Sequence, residues 1–266
     1  MNQTINKYSK QIIIVNSIFI LFWLTISIFP FIWTLWGSFK VKADFFSRAD
    51  WTYALSGFNT LIETGATTTF KAYLESWTEG EFGRATMNTM IVTVSVVSIS
   101  LFLGTLGAYA LSRSTFKYTF YILIIALIFR AMPHITLVSG YLFPFFQLNI
   151  WGILPTTIIV LVAINQPFTL WLLYSFFKTV PKELDESALI DGCSYFQAFR
   201  YIIMPVMWPG VVTAGLFSMM LAYNDFTVTA LLLNQHNYTM VPKINAYLGT
   251  VEYGGNYMWA VSSVVS

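Results

Sequence analysis

Four groups of polar side chains interrupt an otherwise apolar chain of 266 residues, and their types set the chemistry available to it. Arg130 and His134 stand one helical turn apart beside Pro133, Asn165 and Gln166 directly precede Pro167, and Asn224 and Asp225 lie near the exit of a long apolar run. A polar group at membrane depth is expensive, so each of these six is a functional candidate. Amides donate and accept hydrogen bonds, a guanidinium donates and a carboxylate accepts, a set that suits a hydroxyl-rich ligand. Each also has a structural alternative. Arg130 can satisfy carbonyls freed by Pro133 or pair with another chain, and the amides can hydrogen-bond between helices. The fourth group, Asp185, Glu186 and Asp191, lies in the segment PKELDESALIDGCSYFQAFRYIIMP, residues 181–205. Carboxylates alone make no catalytic constellation, and no histidine, nucleophile or metal pattern accompanies them. Two histidines, His134 and His236, and one cysteine, Cys193, exclude the CxxC and HExxH metal motifs. No Gly-Lys pair and no GxSxG occurs, so the chain is expected to bind no nucleotide, metal or cofactor itself and to carry no catalysis.

The elements that must position these groups are membrane spans. With 56% hydrophobic and 10% charged residues and a mean hydropathy of +0.65, the chain is too apolar for a soluble domain. Its apolar runs reach the roughly 20 residues a helix needs to cross a bilayer, and none alternates strictly as a barrel strand would. The expected fold is all-α, a polytopic helical bundle. Spans are expected at about 12–36, 86–111, 118–143, 153–177 and 208–233, the third broken around Arg130, Pro133 and His134 and the fourth around Pro167. Trp33 and Trp36 lie where an aromatic belt forms. In the second span, Ser100, Gly104 and Ala108 recur every four residues and make a close-packing stripe. The apolar stretch 257–266 is too short to cross, so a sixth span is expected to be cut short. A net charge of +2 with scattered basic residues argues against nucleic-acid binding. Lys7, Lys10, Arg113, Lys117, Lys178, Lys182 and Arg200 fall on one side of the membrane, which the positive-inside rule makes cytoplasmic, together with the N-terminus. Five basic residues in the 40–84 loop fall on the other side, but long loops weigh less in that rule.

Segment 181–205 is too polar for lipid, yet it is punctuated like a folded helix pair. Thr179 is expected to cap a first helix, with Pro181 preset in φ and Glu183, Asp185 and Glu186 near the positive end of the dipole. Gly192 stands where a glycine would end that helix. Ser194 with Gln197 forms a capping box for a second helix, which Pro205 and Pro209 are expected to terminate. Small Ser187 and Ala188 would let the first helix sink into a partner's groove, ringed by Asp185, Glu186 and Asp191. An amphipathic hairpin on the membrane surface is the competing reading, but such helices favour a basic face.

Glu186-Ser187-Ala188, three residues, Gly192, nine residues, then Ile202-Ile203-Met204-Pro205 resembles the EAA…G…IxLP loop of permease subunits of bacterial binding-protein-dependent ABC importers. Serine replaces one alanine and methionine replaces the leucine, with every spacing kept. Residues 88–92, 107–113 and 222–226 resemble stretches of the carbohydrate-uptake, MalG-like branch. The resemblance covers roughly residues 86–262. It implies a six-span permease core in a bacterial cell membrane, half of the translocation pathway for a carbohydrate. It implies as partners a second permease, two ATPase subunits that hold ATP and Mg, and an extracytoplasmic solute-binding protein, besides lipid. Asp185, Glu186, Ser187, Ala188, Asp191, Gly192, Ile202 and Pro205 would then couple to the ATPase, with Gly192 as pivot or tight contact. The chain divides accordingly into a tail and first span (1–37), an extracytoplasmic loop (38–85) and a permease core (86–266) containing the coupling segment 179–206. Import of another polar solute such as a sugar phosphate stays open, as does an ion-coupled carrier. The carrier would show an inverted repeat, which is not evident.

Overall fold

The computed structural model of the chain describes residues 2–38, 71–249 and 257–266. Most of the 38–85 loop and residues 250–256 lie outside the described residues, as do the side chains of 1–11, 36, 71 and 251–258, and with them Lys7, Lys10, Trp36 and Lys71. The elements run α1 (Asn2–Ser38), α2 (Lys71–Thr78), α3 (Phe82–Arg113), α4 (Thr119–Ala131), α5 (His134–Gln147), α6 (Leu154–Thr179), α7 (Glu183–Ile190) and α8 (Tyr195–Ala198). A π-helical turn (Phe199–Ile203) follows, then α9 (Met204–Tyr223), α10 (Thr227–Leu232), α11 (Met240–Gly249) and α12 (Tyr257–Val265). No strand occurs among the described residues.

Contacts group the chain into two units, residues 1–82 with 244–266 and residues 83–243. In the first, α12 packs on α1 and α2. Ser262 Oγ donates to the Ala72 carbonyl (3.2 Å), Trp259 Nε1 to Glu75 (3.1 Å) and Tyr247 OH to the Gly80 carbonyl (2.6 Å). No residue of the apolar stretch Ile12–Leu35 of α1 is buried within the chain. A helix so apolar and so unpacked is stable only in lipid or against another chain.

The second unit is built around α6, half of whose apolar window is buried. Two core clusters lie along it. Val160, Leu161, Val162 and Ile164 pack with Val92 and Val96 of α3, Val138 of α5 and Val228 and Leu232 of α10. Leu173, Phe177 and Val180 pack with Ala108, Ile203, Met207, Val211 and Ala214. The small-residue stripe of α3 serves as expected: Ser100 and Ala108 are buried, and a Cβ on Gly104 would stand 3.1–3.2 Å from Thr169, Gln166 and Leu173 of α6. At the opposite end of α3 from Arg113, Asn88 Nδ2 donates to the Tyr238 carbonyl (3.2 Å) and the Met240 amide to Thr89 Oγ1 (2.8 Å). The turn before α6 is laced to the end of α10 through Gly152 N–H to the Leu232 carbonyl (3.0 Å) and Trp151 Nε1 to the Leu231 carbonyl (3.0 Å).

The structure departs from the sequence expectation at the prolines. The third run is two helices, α4 and α5, bent by 85° where Met132 and Pro133 turn extended. The fourth run is one continuous helix, α6, with Pro167 inside it. Proline removes a single ladder hydrogen bond, and dense packing on both sides of Pro167 holds the helix together. Pro205 and Pro209 do not terminate the second helix of segment 181–205. The chain stays helical from Tyr195 to Tyr223, because a π turn immediately precedes Pro205, which then occupies the first turn of α9, where its missing N–H costs least. The fifth span consequently begins about one turn or more earlier than expected and ends at Tyr223, with Asn224 as its C-cap. Thr179 does not cap α7. Its hydroxyl donates back to the Phe176 carbonyl at the end of α6 (2.7 Å), and α7 begins after Lys182 without a side-chain cap.

Candidate functional site

Two places in the second unit gather the candidate residues. The first is the segment between α6 and α9. Its acidic α7 ends in a complete Schellman motif, with Gly192 N–H on the Leu189 carbonyl (3.1 Å) and Cys193 N–H on the Ala188 carbonyl (3.0 Å). Gly192 has φ +89°, a conformation that side chains disfavour, so glycine ends the helix here by backbone need. Two residues on, Ser194 and Gln197 form the reciprocal capping box that starts α8 (3.3 and 2.7 Å). The turn is therefore closed by local hydrogen bonds on both sides. α7 packs back on α8 and the π turn, and this buries Ala188 and Ile203 inside the chain.

What anchors α7 to the membrane helices is a buried polar cluster around Asp185. Tyr109 OH donates to Asp185 Oδ1 (2.5 Å), and Arg113 Nη2 pairs with Asp185 Oδ2 (2.8 Å), with both side chains of the ion pair under one-fifth exposed. Arg113 Nη1 also donates to the Phe177 and Val180 carbonyls (3.3 and 3.0 Å), closing the C-terminal end of α6. One arginine at the end of α3 thus holds the end of α6 and the start of α7 together. The Tyr109 ring lies against Phe177 and Phe199 (centroids 5.7 and 4.8 Å), which shields one side of the cluster and strengthens its electrostatics. Sequence reasoning named Arg113 only as a cytoplasmic-side basic residue and Tyr109 only within the 107–113 resemblance, and gave neither a role in the site. The signal available was a lone arginine ending one span beside an acidic segment that begins after another.

The candidates of this segment accordingly divide. Asp185, Ala188 and the Ile203 turn face inward and hold α7 on its own chain. Glu186, Ser187, Asp191 and Gly192 are exposed, as are the large apolar side chains Ile190 (85%), Tyr195 (73%) and Phe196 (68%). Ile202 is half-buried, and Pro205 begins α9 at the surface. An exposed face of acidic, small and large apolar groups on a rigidly clamped helix is a surface suited to protein contact.

The second place is a cavity of about 620 Å³ where two helix breaks meet, the bend between α4 and α5 and the gap between α9 and α10. Arg130, His134, Asn224 and Asp225 all line it, beside Phe168, Phe217, Met220 and Leu221. Arg130 Nη1 donates to His134 Nε2 (2.6 Å). Asp225 Oδ1 accepts the Val228 and Thr229 amides (2.9 and 3.1 Å), which caps α10, and Asn224 Nδ2 donates to the Met220 carbonyl (2.9 Å). Asn165 and Gln166 do not reach this cavity. Asn165 is buried, and Gln166 Nε2 approaches the Ser100 carbonyl of α3 (3.5 Å), so both lie in the polar band between the two core clusters of α6.

Residues 100–266 match the family described as binding-protein-dependent transport system inner membrane component. The chain is 29% identical over 257 residues to the diacetylchitobiose uptake system permease protein NgcG of Streptomyces coelicolor, covering 92% of this chain and 79% of that protein. It is 33% identical over 220 residues to the trehalose/maltose transport system permease protein MalG of Thermococcus litoralis, covering 82% and 74%. Its fold is similar, at a TM-score of 0.70 and 18% identity, to a chain in the crystal structure of a bacterial ABC transporter involved in the import of the acidic polysaccharide alginate, over 95% of this chain and 89% of that one. With the Glu186–Pro205 loop inside the matched region, and the matched region extending over well more than half of its length, this multi-pass membrane protein belongs to the binding-protein-dependent transport system inner membrane components.

Proposed function

We propose that the chain is the transmembrane subunit of an ATP-driven importer and forms half of the pathway through which a carbohydrate, delivered by a solute-binding protein, crosses the bacterial cell membrane. A second permease completes the pathway, and two ATPase subunits, which hold the ATP and Mg, drive it. The N-terminus and the α7 segment are cytoplasmic. The observation that carries the reading is the clamp on α7. A short helix closed by a Schellman turn and tied through Asp185 to Arg113 and Tyr109 is rigid enough to pass a push from a docked ATPase into α3, α6 and α9 together. The exposed Glu186, Ser187 and Ile190 face is the docking surface. Relatives named for diacetylchitobiose and for trehalose or maltose uptake support the carbohydrate assignment.

Purification of the tagged chain from native membranes in mild detergent tests the assembly, and ATP-dependent uptake of labelled saccharides by reconstituted vesicles tests the activity. A companion permease, an ATPase and a binding protein are expected to co-purify. Glu186→Lys, on the exposed face, is expected to lower ATPase recovery about tenfold while leaving the permease pair intact. Recovery of the chain alone, still transporting without ATP, rejects the importer in favour of an ion-coupled carrier.

A further inference from the structure

Resting on the importer reading, we infer that the cavity between the α4–α5 bend and the α9–α10 gap is a saccharide-binding subsite contributed by this subunit, built to accept an uncharged sugar and to reject an acidic one. Its size, about 620 Å³, falls within the roughly 300–1,000 Å³ of small-molecule sites. Its chemistry is divided in the way a sugar is divided. Phe168 and Phe217, edge to face at 5.8 Å, offer an apolar wall for the C–H face of a pyranose ring, and Arg130, Asn224 and Asp225 offer donors and acceptors for its hydroxyls.

The carboxylate on the lining decides the class of sugar. Arg130 can only donate, and one of its donors is engaged by the His134 ring. One guanidinium and one carboxylate face the cavity. Among the described residues no direct ion pair joins Arg130 to Asp225, so each keeps hydrogen-bonding capacity for a ligand. Asp225 Oδ1 is engaged by the α10 amides, which fixes the carboxylate and leaves Oδ2 to accept sugar hydroxyls. A uronic acid would set a second carboxylate near Asp225 in a medium of low dielectric, where like charges repel strongly.

Equilibrium binding of labelled maltose, trehalose and a glucuronate-containing disaccharide to the permease–ATPase complex in nanodiscs, without the binding protein, tests the subsite. Values are normalised to assembled complex. The wild type is expected to bind at least one uncharged probe and to exclude the acidic one. Asp225→Asn keeps an oxygen to cap α10 but leaves a net positive cavity, and is expected to weaken the uncharged probe about tenfold and to admit the acidic one. Arg130→Met is expected to weaken the uncharged probe similarly without admitting the acidic one. Wild-type binding and selectivity retained in both variants overturn the subsite. So does uptake of an uncharged saccharide by a complex that binds none of the probes in the absence of the binding protein, and in both cases the importer reading stands. Failure of the wild-type complex with its binding protein to import any saccharide overturns the importer reading, and the subsite with it.

Discussion

Asp185 holds both of its oxygens in protein contacts, one from Tyr109 and one from Arg113, while Glu186 beside it is exposed. The two neighbours therefore do different work, although both lie in the same acidic turn. Removing one member of a nearly buried ion pair leaves the other charge unpaired, which costs more than the pair itself contributes. Asp185→Leu is expected to strand Arg113 and to lower coupled uptake by an order of magnitude or more. The double variant Asp185→Leu with Arg113→Met is expected to regain folding, read as thermal stability in detergent, without regaining uptake. Stability and uptake recovering together would make the cluster a packing feature rather than a transmitter. Parts of this residue-level picture are legible in the chain. The Gly192 stop and the Ser194–Gln197 box follow from local hydrogen bonding, which needs only neighbours in sequence. The Arg113–Asp185 pair joins positions 72 apart and leaves no local trace.

At the scale of elements, the π turn at Phe199–Ile203 sets the rotation between the α7 segment and α9. A π turn is one residue inserted into an α-helix, and it leaves Met204 bonded to the carbonyl of Phe199 rather than to that of Arg200. Deleting the exposed Tyr201 is expected to restore an α-helical ladder and to turn the segment by about 100° relative to α9, since an α-helix advances that much per residue. The Asp185 oxygens would then miss Arg113. The expected outcome is a permease that still inserts and assembles with its companion but does not take up saccharide, read by co-purification and vesicle uptake on the same preparation. Wild-type uptake would show that the rotation is unimportant. The same local unwinding explains why Pro205 and Pro209 fail to stop the helix, which composition alone could not reveal.

At the scale of the whole molecule, the large apolar side chains left exposed along α1, α3, α4 and α9 call for lipid or further protein chains around this one. Cys193, the single cysteine, offers a direct report on this arrangement because it is half-buried at the turn after α7. A membrane-impermeant maleimide is expected to label it in inside-out vesicles stripped of ATPase and not in right-side-out vesicles. Re-addition of the ATPase is expected to slow the labelling several-fold. Labelling from the outer side would invert the proposed topology, and labelling unaffected by the ATPase would move the docking surface elsewhere.

Run length and hydropathy determined from the sequence alone that the chain is a helical membrane protein, because the bilayer demands about 20 apolar residues per crossing wherever they pack. The spaced Glu186, Gly192 and Pro205 likewise marked the family before any geometry was known. Tertiary structure decided the rest. It made α6 continuous through Pro167 and bent the chain by 85° at Pro133, since a proline's effect depends on what packs around the freed carbonyl. It turned Asp185 inward onto Arg113. It also gathered Arg130, His134, Asn224 and Asp225 around one cavity while leaving Asn165 and Gln166 between helices. Those outcomes rest on contacts between residues far apart in the chain, and spacing along one helix carries no information about which neighbour it will meet.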